Sequence, residues 1–171
     1  MKAVVVYESL WGNTAAVARA IAEGLGPGAR AFDTAAADEA VLAGVDLIVA
    51  GAPVLGFKLS SEKMREAIRA NPGKAPAPPD LSHPPLRAWL DSLPAGHGRS
   101  AAFDTQVKGP FGSGAPAIAE ALERAGYRAL VEPVGFVVKG RYGPPRDGEL
   151  ERARQWGADL AAAMGRAETE G

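Results

Sequence analysis

At 171 residues the chain is long enough for one domain with a full core and needs no disulfide or metal staple. Hydrophobic residues make up 47% and charged residues 23%, a balance that excludes a disordered chain, and zero cysteines exclude disulfides, thiolate catalysis and thiolate-held zinc or iron–sulfur clusters. A net charge of -1 provides no broad basic field for nucleic acid or anionic lipid.

Met1 leads straight into a strand-like run without a basic leader, and no apolar stretch approaches the ~20 residues of a membrane span, so the expected setting is cytoplasmic and off the membrane. Ala3 to Tyr7, with three valines in succession, reads as a strand buried on both faces. From Thr14 to Leu25, Val17, Ile21 and Leu25 recur every four positions beside Ala16, Ala20 and Gly24, the pattern of a helix that lies close on a sheet. Gly26-Pro27-Gly28 ends it, Ala29 to Phe32 supplies a short second strand, and Val45 to Ala50 a third.

Glu62 to Ala70 reads as a helix, after which 71–85 carries six prolines and reads as a surface loop. Leu86 to Leu90 reads as a short helix, Ser100 to Phe103 as a fourth strand and Pro116 to Ala125 as a further helix. A last strand between Arg128 and Val138 is interrupted by Glu132-Pro133, which suits a sheet edge. Leu150, Ala153, Gly157, Leu160 and Met164 mark one stripe of a terminal helix with Asp147 as its expected cap; the domain is expected to span 1–165, with a polar tail at 166–171.

Strands alternating with helices predict an α/β fold, a five-stranded doubly wound parallel sheet in the order 2-1-3-4-5 with helices on both faces. Its ligand crevice lies at the carboxyl ends of the first and third strands, where the winding reverses. Glu8-Ser9-Leu10-Trp11-Gly12-Asn13-Thr14 occupies that point. A helix N-terminus with free amides, flanked by Ser9, Asn13 and Thr14 side chains, suits a phosphate, and Gly12 allows close backbone approach. No lysine or arginine occurs from Ala3 to Ala18, so the anion is expected to be held by hydrogen bonds and the helix dipole alone. The same residue types equally serve as plain helix caps. The triphosphate loop and the dinucleotide fingerprint are both absent from the first turn.

Val6 to Thr14 resembles the FMN phosphate loop of flavodoxins, usually Ser/Thr-x-Thr-Gly-x-Thr after a valine-rich strand, with Trp11 in place of a threonine. Gly51-Ala52-Pro53-Val54-Leu55-Gly56-Phe57 is similar to the Gly-x-Pro-Thr-x-x-Gly segment beside the flavin ring, with Val54 at the threonine position. The resemblance runs along the whole chain and includes the Gly-Pro turn and Gly-Glu-Leu helix start between Phe136 and Gly157. It implies FMN as cofactor, with Ser9 to Thr14 on the phosphate and Pro53, Val54, Leu55, Gly56, Phe57, Asp104, Thr105 and Gln106 around the ring. Lys108 to Gly114 would close the pocket, and Phe57, Phe111 or Trp11 are the aromatics able to wall it. It also implies electron transfer or a small flavin-dependent reductase, acting with a redox protein or a quinone-like acceptor.

The alternative is a flavodoxin-like scaffold without flavin that binds a partner through the proline-rich loop 71–85. Gly112-Ser113-Gly114 is a second anion cradle or, more simply, a plain loop. His83 and His97 lie in separate loops with no evident acidic companion, which supports neither a metal site nor a catalytic triad. A phospho-acceptor receiver domain would need an acidic pair at the first strand and an aspartate after the third, and Glu8 stands alone.

Overall fold

The computed structural model describes residues 1–169. In chain order the elements are β1 (Ala3–Tyr7), α1 (Asn13–Leu25), β2 (Ala29–Asp33), α2 (Glu39–Leu42), β3 (Leu47–Leu55), β4 (Lys58–Leu59), α3 (Glu62–Ala70), α4 (Leu86–Asp91), β5 (Arg99–Val107), α5 (Ala115–Arg124), β6 (Arg128–Ala129), β7 (Val134–Val138) and α6 (Glu149–Thr169). The sheet order is β2-β1-β3-β5-β6, with β7 beside β5 and the short β4 folded back antiparallel on β3. All other pairings are parallel.

Each face of the sheet is apolar because both are covered. Val5, Leu47, Val49, Ala101 and Phe103 pack against α1 and α6, and Val4, Val6, Ile48, Ala50 and Ala102 pack against α4 and α5. Phe103, Phe136 and Leu160 are fully enclosed; burial of each such side chain contributes about 1.5 to 3 kcal/mol. Helices α1 and α6 approach backbone to backbone. A Cβ on Gly24 would lie 1.9 Å from the Arg154 carbonyl oxygen, and one on Gly157 would lie 2.2 Å from that of Ile21.

The expected fifth strand is two strands. Residues 130–133, with Pro133, separate β6 from β7, and both halves lie along β5 at the sheet edge, where a missing N–H donor is tolerated. The third strand begins at Leu47 and runs on to Leu55, and α2 and β4 are additions to the expected set. Asp147 does not cap the last helix: it is exposed and pairs with Lys139 at 3.2 Å, while Arg152 N–H donates to the Gly148 carbonyl. That helix continues through residues 166–169, which the sequence reading placed in a tail; residues 170–171 lie outside the described residues. Within its stripe Ala153, Gly157, Leu160 and Met164 are buried, whereas Leu150 is exposed. No helix among the described residues is long and apolar enough to cross a membrane.

Candidate functional site

The ends of β1, β3 and β5 enclose a cavity of about 410 Å³. Three loops predicted from sequence converge on it: Ser9, Leu10, Trp11, Asn13 and Thr14 after β1, Pro53, Val54, Leu55 and Gly56 at the end of β3, and Thr105 and Gln106 at the end of β5. Residues far apart in sequence are neighbours here because parallel strands all deliver their carboxyl ends to one edge.

The phosphate-loop candidate is rigidly built. Ser9 Oγ accepts from Gly12 N–H at 3.1 Å and Ala15 N–H at 3.2 Å, which leaves its hydroxyl proton available. Gly12 stands at the helix N-cap with φ +91°, a conformation that a side chain disfavours, and lets the chain turn into α1. Thr14 and Thr105 share a hydroxyl hydrogen bond at 2.8 Å, so one of their two protons remains free for another acceptor. No acceptor among the described residues takes the amides of Leu10, Trp11, Asn13 or Thr14. The indole Nε1 of Trp11 is likewise buried without a partner. The mouth of α1 therefore presents donors and no carboxylate, the environment of an anion site.

Behind the loop is a buried polar support that the sequence reading did not anticipate. His83 Nε2 accepts the Ser9 amide at 3.0 Å, and Asp80 N–H donates to the Leu10 carbonyl at 2.7 Å. Glu8, fully buried, accepts from the Leu86 amide at 2.9 Å and from the Ser60 hydroxyl, and lies 3.9 Å from Arg65 Nε. Arg65 in turn donates to the His83 carbonyl at 2.6 Å. The end of the proline-rich loop, from Asp80 to His83, is thus fixed to the back of the candidate site. His83 does have an acidic companion: Asp80 Oδ1 is 3.7 Å from Nδ1. The hydroxyl and amide of Ser82 hold the Asp80 carboxyl below its ordinary pKa, and the nearby His83 and Arg65 act in the same direction.

Two predicted residues are placed differently. Asp104 is fully buried, and its Oδ2 accepts from Ser113 Oγ, Gly114 N–H and Ala115 N–H at 2.7 to 3.0 Å. It caps α5, whose N-cap Gly114 has no side chain for the task, and it fills the Gly112-Ser113-Gly114 cradle with the protein's own carboxylate. Phe57 is 64% exposed at φ +72° and packs on Phe111, ring centroids 6.4 Å apart, at the rim beside Val54 and Gln106.

Residues outside the three expected loops complete the wall. Met64, Ala67 and Ile68 of α3 form an apolar side, and Val107, Val138 and Arg141 complete the lining. Ala3 to Ala18 carries no cation, but Arg141, on the loop after β7, lines the same mouth. Arg141 and Tyr142 just before the Gly-Pro turn were the available signal. His97 lies elsewhere, beside Tyr127 and Glu39. Among the described residues no cluster of three or more His, Asp or Glu side chains could hold a metal.

No protein-family model matches the chain, and no curated protein sequence matches it. Solved structures do. A flavodoxin from the domain Archaea superposes with a TM-score of 0.66 at 22% identity, covering 96% of this chain and 99% of that one. Flavodoxin 1 from Bacillus cereus gives 0.64 at 22% identity, covering 95% and 98%, and a WrbA-like flavodoxin from Agrobacterium tumefaciens gives 0.64 at 20%, covering 96% and 98%. The strand order, the crossover helices and these whole-length superpositions agree: the chain has the flavodoxin-like fold.

Proposed function

We propose that the chain is a cytoplasmic FMN-binding redox protein, which passes electrons to a redox protein or reduces a small quinone-like acceptor. The observation that carries this reading is the meeting, in one cavity, of unpartnered amides at the mouth of α1 with the chain segments that follow β3 and β5. The donor set fits a phosphate: the amides of Leu10, Trp11, Asn13 and Thr14, the Ser9 hydroxyl and the Trp11 indole N–H all lack a competing acceptor or retain a free proton. The remaining wall fits a flat, largely apolar ring, with Leu55, Met64, Ala67 and Ile68 on its apolar side and backbone polar groups of Pro53 to Gly56 and Thr105 to Gln106 near its edge.

A bound flavin supplies the electron or hydride chemistry. The chain's part is to hold the phosphate at α1, orient the ring and keep water from one side of it. Ser9 fixes the loop by accepting two amides, and the buried set Glu8, Arg65 and His83 keeps that loop in place without a ligand. Such preformed donors reduce the ordering cost of binding.

The visible spectrum of the purified protein, followed by titration of the apoprotein with FMN and riboflavin, tests the reading. A yellow protein whose apo form prefers FMN is expected. Absence of binding at high micromolar concentrations of either flavin contradicts it and favours a scaffold that works through the exposed part of the proline-rich loop.

A further inference from the structure

The loop after β7 brings one cation to a mouth otherwise lined by neutral groups. Arg141 shares the cavity wall with Ser9, Asn13 and Thr14. Its guanidinium carbon is 5.8 Å from the ring centroids of both Trp11 and Tyr142, and those two rings meet edge to face at 4.8 Å. Gly143 of the same loop lies against the Asn13 carboxamide. The two loops are therefore packed on each other, and the guanidinium stands beside Trp11 of the loop that precedes α1.

Arg141 is also unneutralised. Lys139, two residues earlier, pairs with Asp147 at 3.2 Å, whereas among the described residues no carboxylate lies within 4.0 Å of Arg141. No acidic side chain lines the cavity to oppose it. A guanidinium over aromatic faces keeps its charge and its fork of donors, and it is less hydrated than an ammonium, which suits it to a phosphate. The buried, partnerless indole N–H of Trp11 is a further donor beside it.

We propose that Arg141 is the phosphate-selecting residue of this site: held on the Trp11 and Tyr142 rings, it neutralises the dianion of a bound flavin nucleotide and sets the preference for FMN over uncharged riboflavin. Trp11 thereby replaces the hydroxyl of a threonine with an indole donor and a platform for a cation. The proposal rests on the flavin reading of the cavity and adds to it an electrostatic selectivity that amides alone do not supply.

The test is fluorescence titration of the apoprotein with FMN and with riboflavin, at low and high KCl, for the wild type, Arg141→Gln and Arg141→Lys. Arg141 is exposed and donates no hydrogen bond among the described residues, so both variants are expected to fold. Loss of one charge-assisted contact should weaken FMN about tenfold in Arg141→Gln and flatten its salt dependence, with riboflavin unchanged. Arg141→Lys should retain the salt dependence and most of the affinity. If Arg141→Gln binds FMN like the wild type, or loses both flavins equally, the proposal is overturned while the flavin reading stands. A wild type that binds neither flavin overturns both.

Discussion

At the scale of single residues, the local pieces of the site were readable because they act through their neighbours in sequence. Ser9, Asn13 and Thr14 sit at the start of a helix in any fold that begins this way, and the structure brings them to one cavity. Asp104 was not readable in the same way. A carboxylate at a strand end can face a ligand or the next helix, and it faces α5 because that helix starts on a glycine without a cap of its own. Thr14 is a clean probe of the phosphate assignment: Thr14→Ala should weaken FMN by roughly 1 to 2 kcal/mol, the scale of a hydrogen bond to a charged group, with riboflavin unaffected. Equal losses for the two flavins in a calorimetric titration would refute it. Arg65 probes the support behind the loop. Arg65→Leu leaves Glu8 buried without its cation and should lower stability by about 3 to 5 kcal/mol in urea unfolding, and a change below about 1 kcal/mol, within the range of exposed ion pairs, would show that the pair does not behave as a buried one.

At the scale of elements, long periodic segments were legible and short ones were not. The bounds of α3 follow directly from its Ser61 start, where the hydroxyl accepts the Met64 amide, and from the proline after Asn71. The two-residue β4 carries no periodicity and depends on pairing with the end of β3. Asp147 is not the expected cap of α6 because the residue that ties down the start of that helix, Glu149, acts inside it: it accepts the Val137 amide at 2.6 Å and pairs with Arg152 at 2.8 Å. The hydrogen bond from Arg152, then that from Val137, holds the Glu149 carboxyl below its ordinary pKa against the opposing effect of burial. A carboxyl depressed in the folded state stabilises the fold above its unfolded pKa, and that contribution is lost as pH falls through the folded value. Wild-type urea midpoints should therefore fall more steeply than those of Glu149→Gln as pH drops from neutral through the carboxylate range; parallel curves would show that the α6 start does not depend on this charge.

At the scale of the whole molecule, the doubly wound architecture was legible because alternating strand and helix patterns permit few topologies. The environment of the cavity was not, since it depends on contacts between distant segments. The proline-rich loop reads as free surface in one dimension, yet His83 and Asp80 hold the backbone of Ser9 and Leu10, and Leu86 just beyond it bonds Glu8. Arg141 likewise reads as an ordinary loop cation until the sheet places it beside Trp11. Both features converge on the mouth of α1, the part of the molecule on which the functional account depends. The most direct measurement is a two-dimensional ¹H–¹⁵N spectrum of the apoprotein titrated with FMN. The account predicts that the amides of Leu10, Trp11, Asn13 and Thr14 and the Trp11 indole N–H show the largest shifts, with riboflavin leaving these signals nearly unmoved. Flavin-induced shifts confined to other parts of the chain, with these signals unchanged by FMN, would contradict it.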